Sequence, residues 1–272
     1  MLEKNLKIQK GQIPFDLFGF NNCYDLTVNG KMFTVNLFKE HLLFMRKGLT
    51  ELVFIIDCSG SMYELESDTI GGFNSVIDKQ RNVESEVLVS TVVFSDTSSV
   101  LHDRANIKEV KPLTREEYVT GGSTALLDAV GDAIHHIANI HKYAREEDRP
   151  EKTLFFITTD GLENSSSRYS YDRIKTMISF EKEKHGWEFV FMGANIDAFD
   201  VASKMGISRE RTINAINDEE GIKRNYNLMS NMVGCYTTMR REKFCEEADN
   251  LCCEENIFNE IRRIKRIRAA KH

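Results

Sequence analysis

Leu52-Val-Phe-Ile-Ile-Asp57-Cys58-Ser59-Gly60-Ser61-Met62 is the stretch whose reading decides the fold. Five consecutive apolar residues, Leu52 to Ile56, are too few for a helix of ordinary length and show no polar alternation, so they predict a strand buried on both faces. The strand ends in oxygen donors. Asp57, Ser59 and Ser61 stand at alternate positions, and Gly60 permits a sharp turn, so the three side chains can face one point beyond the strand's carboxyl end. Hard oxygen donors of this kind suit Mg²⁺ or Mn²⁺.

Two further segments belong with this one. Gly121-Gly122-Ser123-Thr124-Ala125-Leu126 places a threonine in a glycine-rich loop before a helical pattern, and Phe155-Phe-Ile-Thr-Thr-Asp160-Gly161 ends a second apolar run with an aspartate. The D-x-S-x-S of residues 57–61, the threonine and the Asp-Gly pair, in this order and each at an element boundary, resemble the metal-ion-dependent adhesion site of von Willebrand factor type A domains. The resemblance covers residues 50–235. It implies that Ser59, Ser61 and Thr124 ligate Mg²⁺ or Mn²⁺ directly, that Asp57 and Asp160 act mostly through water, and that an Asp or Glu of a partner protein fills an open position. The corresponding expectation is a stand-alone intracellular member of the family that serves as an adaptor or scaffold subunit and not as an enzyme.

Outward from these segments the chain alternates strands and helices. Ile70, Phe73 and Ile77 share one helical face, with Ser67 or Asp68 as candidate cap. Residues 87–94 and 99–102 read as two strands joined by Ser95-Asp96-Thr97, too short a link for a parallel crossover, so they pair antiparallel. Thr124 opens a helix carrying Leu127, Val130, Ile134, Ile137 and Ile140. Residues 152–159 form the next strand, Asp172 leads a helix through Ile174 and Ile178, and residues 187–192 form another strand. A short helix over 197–205, an edge strand over 211–213 and a helix opened by an Asn217/Glu220 capping box complete the pattern. The result is an α/β, Rossmann-like, open and mostly parallel six-stranded sheet with one antiparallel edge strand and helices on both faces. With strand order 3-2-1-4-5-6, Asp57, Ser59, Ser61, Thr124 and Asp160 all meet in the crevice beyond the first and fourth strands.

Residues 1–49 form an N-terminal extension in which Cys23 to Val28, Asn29-Gly30 and Lys31 to Leu37 read as a β-hairpin with a type I′ turn. Residues 236–272 form a C-terminal helical extension. Its last part, 259–272, carries six Arg or Lys against one Glu, so it is +5 while the rest of the chain is −11, within a net charge of −6. Leu251, Ile257, Ile261, Ile264 and Ile267 lie beside Arg262, Arg263, Lys265, Arg266 and Arg268 in a basic amphipathic helix, which either docks on the acidic remainder or contacts nucleic acid, an anionic membrane surface or an acidic partner.

The overall negative charge argues against a chain that coats nucleic acid over its whole surface. The six cysteines form no C-x-x-C pair and no regular framework, which points to a reducing compartment. No eighteen apolar residues run together, and the first ten lack the apolar core of a signal peptide, so the expectation is a cytoplasmic protein without membrane insertion. A metal-dependent phosphoryl hydrolase using Asp57 as nucleophile is the competing reading, but such enzymes resemble D-x-D-x-T or V, and here Ser59 replaces the second acid that would protonate the leaving group. Gly121-Gly122-Ser123-Thr124 lacks the lysine of a phosphate-binding loop. Cys58 reads as a small core filler, His135 and His136 diverge on a helix, and Cys252 and Cys253 are too close for an ordinary zinc pair.

Overall fold

The computed structural model describes strands Lys7–Ile8 (β1), Cys23–Val28 (β2) and Lys31–Asn36 (β3), and the chain from residue 46 to 269 apart from residues 83, 84, 195, 196 and 217. β2 and β3 pair antiparallel, Val28 opposite Lys31, as the alternating sequence requires, and β1 adds to β2. The Asn29-Gly30 turn lies outside the described residues, as does Asn217.

The main sheet has six strands: Arg46–Asp57 (β4), Glu86–Phe94 (β5), Ser98–Asn106 (β6), Pro150–Thr159 (β7), Glu188–Ala194 (β8) and Thr212–Ala215 (β9). Their order is β6-β5-β4-β7-β8-β9. All neighbours run parallel except β5 and β6, which form the expected antiparallel hairpin. This is a mostly parallel, Rossmann-like sheet with its first and fourth strands, β4 and β7, side by side at the centre.

The unbroken apolar run of β4 follows from its position. Leu52, Phe54 and Ile56 enter one core, and Val53 and Ile55 the other. On the first face lie helices Glu66–Gln80 (α1), Glu219–Thr238 (α5) and Arg241–Ala269 (α6), which contribute Phe73, Met229, Tyr236, Phe244 and Cys252. On the second lie Leu126–Tyr143 (α2), Tyr171–His185 (α3) and Ala198–Lys204 (α4), which contribute Val130, Ile134, Ile178 and Val201. One acid interrupts the hydrophobic centre: Glu51, fully buried in β4, accepts from Arg104 Nε at 2.8 Å and faces His141 Nε2 at 2.5 Å. The two partners lie on β6 and α2, so the buried charge ties both elements to the central strand.

Helix starts differ from the sequence expectation in ways that have local causes. A 3-10 turn, Gly60–Leu65, runs straight into α1, so neither Ser67 nor Asp68 caps it. Thr124 lies two residues before α2, which begins at Leu126. α3 begins at Tyr171, one residue before Asp172, and Ser170 caps it by accepting from Arg173 N. Asp218 caps α5, its Oδ1 accepting from Gly221 N at 2.7 Å, which leaves Glu220 free for the ion pair with Arg262. α5 crosses residue 235 unbroken, and α6 returns across the first face, where Phe244, Ala248 and Cys252 are buried in the same core as β4.

A candidate metal centre at the carboxyl ends of β4 and β7

Asp57 ends β4 and is fully buried. Its Oδ1 accepts from Ser59 N at 2.7 Å, and its Oδ2 accepts from Thr159 Oγ1 at 2.6 Å. Burial pushes its carboxyl above the ordinary carboxylate range; the bonds from Thr159 and Ser59 oppose this, and the charge of Asp160 adds to it. The Asp160 charge thus adds to the cost of burying Asp57, an arrangement that a cation would relieve.

The hydroxyls are arranged around Gly161. A Cβ at that position would lie 3.0 Å from Thr124 Oγ1, 3.6 Å from Ser61 Oγ and 4.0 Å from Ser59 Oγ. Ser59 Oγ and Ser61 Oγ are 3.2 Å apart, and the Ser61 hydroxyl donates to Asp160 Oδ1. Four of the five residues named from the sequence therefore surround one small space. The fifth, Asp57, stands behind them, its oxygens turned to Ser59 N and Thr159.

Three loops are stitched together to make this space. Cys58 O accepts from Gly121 N at 2.9 Å, Gly122 O accepts from Gly60 N at 3.1 Å, and Ser95 O accepts from Ala125 N at 2.7 Å. Gly60 shows no left-handed φ, and a Cβ there would make only an ordinary 3.4 Å contact with Gly122 O. Gly122 has φ +75°, and a Cβ on it would collide with Asp96 Oδ1 at 2.3 Å. Gly122 is thus needed for a left-handed backbone pressed against the β5–β6 turn, whereas Gly121 has open space around it.

Several residues that hold the site carry no motif of their own. Thr159, besides donating to Asp57, accepts from Gly161 N at 3.3 Å. Tyr118, buried, donates its hydroxyl to Asp57 O. Asn164 grips Thr124 from both sides of the peptide, Oδ1 accepting from Thr124 N at 2.9 Å and Asn164 N donating to Thr124 O at 3.1 Å. Glu163 Oε2 accepts from Leu127 N and Ser166 Oγ from Asp128 N, each at 3.0 Å, so the segment after Asp160 caps the first turn of α2. The only signal in the sequence was the polar run Glu163-Asn164-Ser165-Ser166 itself.

Other candidates fall away from the site. Cys58 is buried in the first core, and burial together with the Asp57 charge pushes its thiol up to about 11, far from a reactive thiolate. His135 and His136 are exposed, and His136 pairs with Asp103 at 2.8 Å. Cys252 is buried and Cys253 exposed. Among the described residues no group of three or more His, Cys, Asp or Glu is placed to hold a metal. Any ion at Gly161 would be held chiefly by hydroxyl oxygens.

No family model matches the chain, and no curated protein matches it. Solved structures do. The vWF domain of the type V pili tip protein Mfa5 from Porphyromonas gingivalis superposes with a TM-score of 0.53 at 10% identity, over 70% of this chain and 97% of that one. The fold is that of a von Willebrand factor type A domain. A von Willebrand factor type A protein from Catenulispora acidiphila matches at TM-score 0.46 and 14% identity, over 66% of this chain. Proximal thread matrix protein 1 from the mussel byssus, with a zinc-occupied MIDAS motif, matches at 0.48 and 16%, over 70% of this chain. This chain spans 42% and 47% of the lengths of those two. Among the described residues no helix is long and apolar enough to cross a membrane.

Proposed function

We propose that the protein is a divalent-cation-dependent protein-binding module, an adaptor or scaffold subunit of an intracellular complex. Ser59, Ser61 and Thr124 would hold Mg²⁺ or Mn²⁺ directly, with Asp57 and Asp160 acting mostly through water. The observation that carries this reading is the convergence of the three hydroxyls on the space beside Gly161, with Asp160 hydrogen-bonded into the same group. The donor set fits a hard cation. When bound, the ion would supply an electrophilic position for a partner's Asp or Glu carboxylate, because neutral hydroxyls leave its charge largely uncompensated.

The residues of the chain fix the geometry of that encounter. Tyr118 and Thr159 hold Asp57, and Asn164 holds Thr124. The phosphoryl hydrolase reading is disfavoured by the same contacts, since each Asp57 oxygen accepts from a neighbouring group and the carboxylate is buried, so it is not exposed for in-line attack on phosphorus. A nucleic-acid role for residues 259–272 is disfavoured as well, because Arg262, Arg263 and Arg266 are engaged with the body of the protein.

Affinity capture from native cells in Mg²⁺ against EDTA tests the proposal. A protein partner lost on chelation and lost with Asp57→Ala is the expected result; partners indifferent to both would overturn it. Thr124→Ala refines the test. It should cost partner affinity roughly tenfold or more, the worth of one charge-assisted contact, and cost ion affinity less. Equal losses would make Thr124 a static ligand.

A further inference from the structure

α6 is docked with the opposite polarity from an ordinary amphipathic helix. In its second half the polar side chains face the protein. Asn256 Nδ2 donates to Thr212 O at 2.8 Å, Arg263 Nη2 donates to Ala215 O at 3.0 Å, Arg262 pairs with Glu220 at 2.6 Å, and Arg266 pairs with Asp218. The isoleucines face out: Ile257 is 57% exposed, Ile261 46%, Ile264 40% and Ile267 57%. Four β-branched apolar side chains in one exposed row are costly to leave in water, and nothing within the described residues covers them.

The spacing of this row is specific. Ile257, Ile261 and Ile264 are four and then three residues apart, the d-a-d steps of a heptad. In that register Glu255 and Arg262 fall at b, Asn256 and Arg263 at c, and Asn259 and Arg266 at f, so the outer face of a coiled coil is here the face docked on the domain. Glu260 then falls at g and Lys265 at e, five residues apart, and both are exposed and engage no partner among the described residues.

We infer that α6 is a self-association surface: two copies of the chain pair their α6 helices in parallel through Ile257, Ile261 and Ile264, each Glu260 meeting Lys265 of the second copy. The charges choose the occupant and its direction. Parallel pairing sets g of one helix against the following e of the other and gives two opposite-charge contacts, whereas antiparallel pairing sets g against g and e against e and gives no Glu260–Lys265 contact. Glu254 and Arg268, at the a positions flanking the isoleucines, would meet their own copies and bound the seam. A seam this short would not pair two free peptides, but each helix is already ordered by its own domain, so its folding entropy is not lost again on association. The domains, docked at b, c and f, sit outside the pair and do not obstruct it.

Sedimentation velocity of the full chain across a concentration series tests this. The native chain should associate reversibly to twice its mass, and Ile261→Asp with Ile264→Asp, both on exposed positions, should remain monomeric with unchanged circular dichroism. Glu260→Lys alone and Lys265→Glu alone should each weaken association about tenfold, since two attractive contacts become repulsive. An equimolar mixture of those two variants should recover the native affinity, because both cross-contacts are then attractive. The inference is overturned by a native chain that stays monomeric, by a dimer that survives the aspartate variants, or by a mixture no tighter than its components. A monomeric native chain that instead cosediments with phosphatidylserine vesicles would make the row a membrane contact and would overturn it equally.

Discussion

Glu181 shows how a single buried acid sets a pH dependence. It lies on α3, one carboxyl oxygen makes no hydrogen bond, and burial pushes its carboxyl up to about 7 from an ordinary 4.5, against a smaller opposing pull from Lys184. The folded protein therefore holds this proton more tightly than the unfolded chain does. The stabilisation is complete below 4.5 and is lost as pH rises to about 7. Glu181→Gln, which stays neutral, should match the native protein in urea unfolding at the acid end and exceed its stability above neutrality. Parallel pH profiles for the two would show that Glu181 does not titrate in this window. At the candidate site the residue scale was the most legible one. Asp57, Ser59, Ser61 and Asp160 are hydroxyls and acids at or just past strand ends and Thr124 precedes a helix, so local pattern names them, and the structure brings four of them around Gly161. Thr159, Tyr118 and Asn164 were not legible, because each acts by a hydrogen bond across 40 to 102 residues of sequence.

At the scale of elements, the threonine loop is a clamped connection. Gly121 and Gly122 suggest slack when read alone, yet their amide and carbonyl are bonded to the Asp57 loop, and Asn164 fastens Thr124 to the segment that follows β7. Any shift of Thr124 toward a ligand must carry that segment and the first turn of α2 with it, since Glu163 and Ser166 cap that turn. Asn164→Ala removes one bond to Thr124 N and should lower ion affinity about fivefold, the worth of roughly 1 kcal/mol, with only a small drop in melting temperature. Unchanged ion affinity would mean that Thr124 is positioned without Asn164. The start of α1 was misread for a related reason: Ser67 and Asp68 are plausible caps by type, but the 3-10 turn that precedes the helix leaves neither with the extended backbone a cap needs. The strands of the central sheet were more legible, because burial on both faces leaves an unbroken apolar signature in β4 and β7.

The whole molecule is larger than its recognisable part. Read from sequence, residues 236–272 look like an appendage, since α6 shows only a loose apolar stripe and many charges. In the structure Phe244, Ala248 and Cys252 close the first core beside Tyr236, whose ring lies 4.5 Å from that of Phe244. Glu188, Arg211 and Arg241 add a polar seam between β8, the turn before β9 and this helix. What sequence periodicity could not show is which face of α6 is inward, because arginines and asparagines that satisfy the carbonyls of edge strand β9 take the place of an apolar contact over its second half. A chain ending at residue 240 should therefore lose cooperative unfolding or melt far lower, by an amount comparable with deleting a buried Phe, about 3 to 5 kcal/mol. An intact, equally stable fragment would show that α6 is dispensable to the core.

The central claim is that an ion sits among Ser59, Ser61 and Thr124, and Gly161 offers the most direct test of it. Gly161→Ala changes no charge and no donor, yet sets a methyl group 3.0 Å from Thr124 Oγ1 and 3.6 Å from Ser61 Oγ, within the space the ion needs. Calorimetric titration of metal-free protein with Mn²⁺ or Mg²⁺ should show one site in the native chain, and that site should be lost or weakened by at least about a hundredfold in Gly161→Ala, or some 2.7 kcal/mol, while the fold by circular dichroism is retained. Binding of the same stoichiometry and affinity in the native and Gly161→Ala proteins would contradict the account, because the ion would then lie somewhere other than among these hydroxyls.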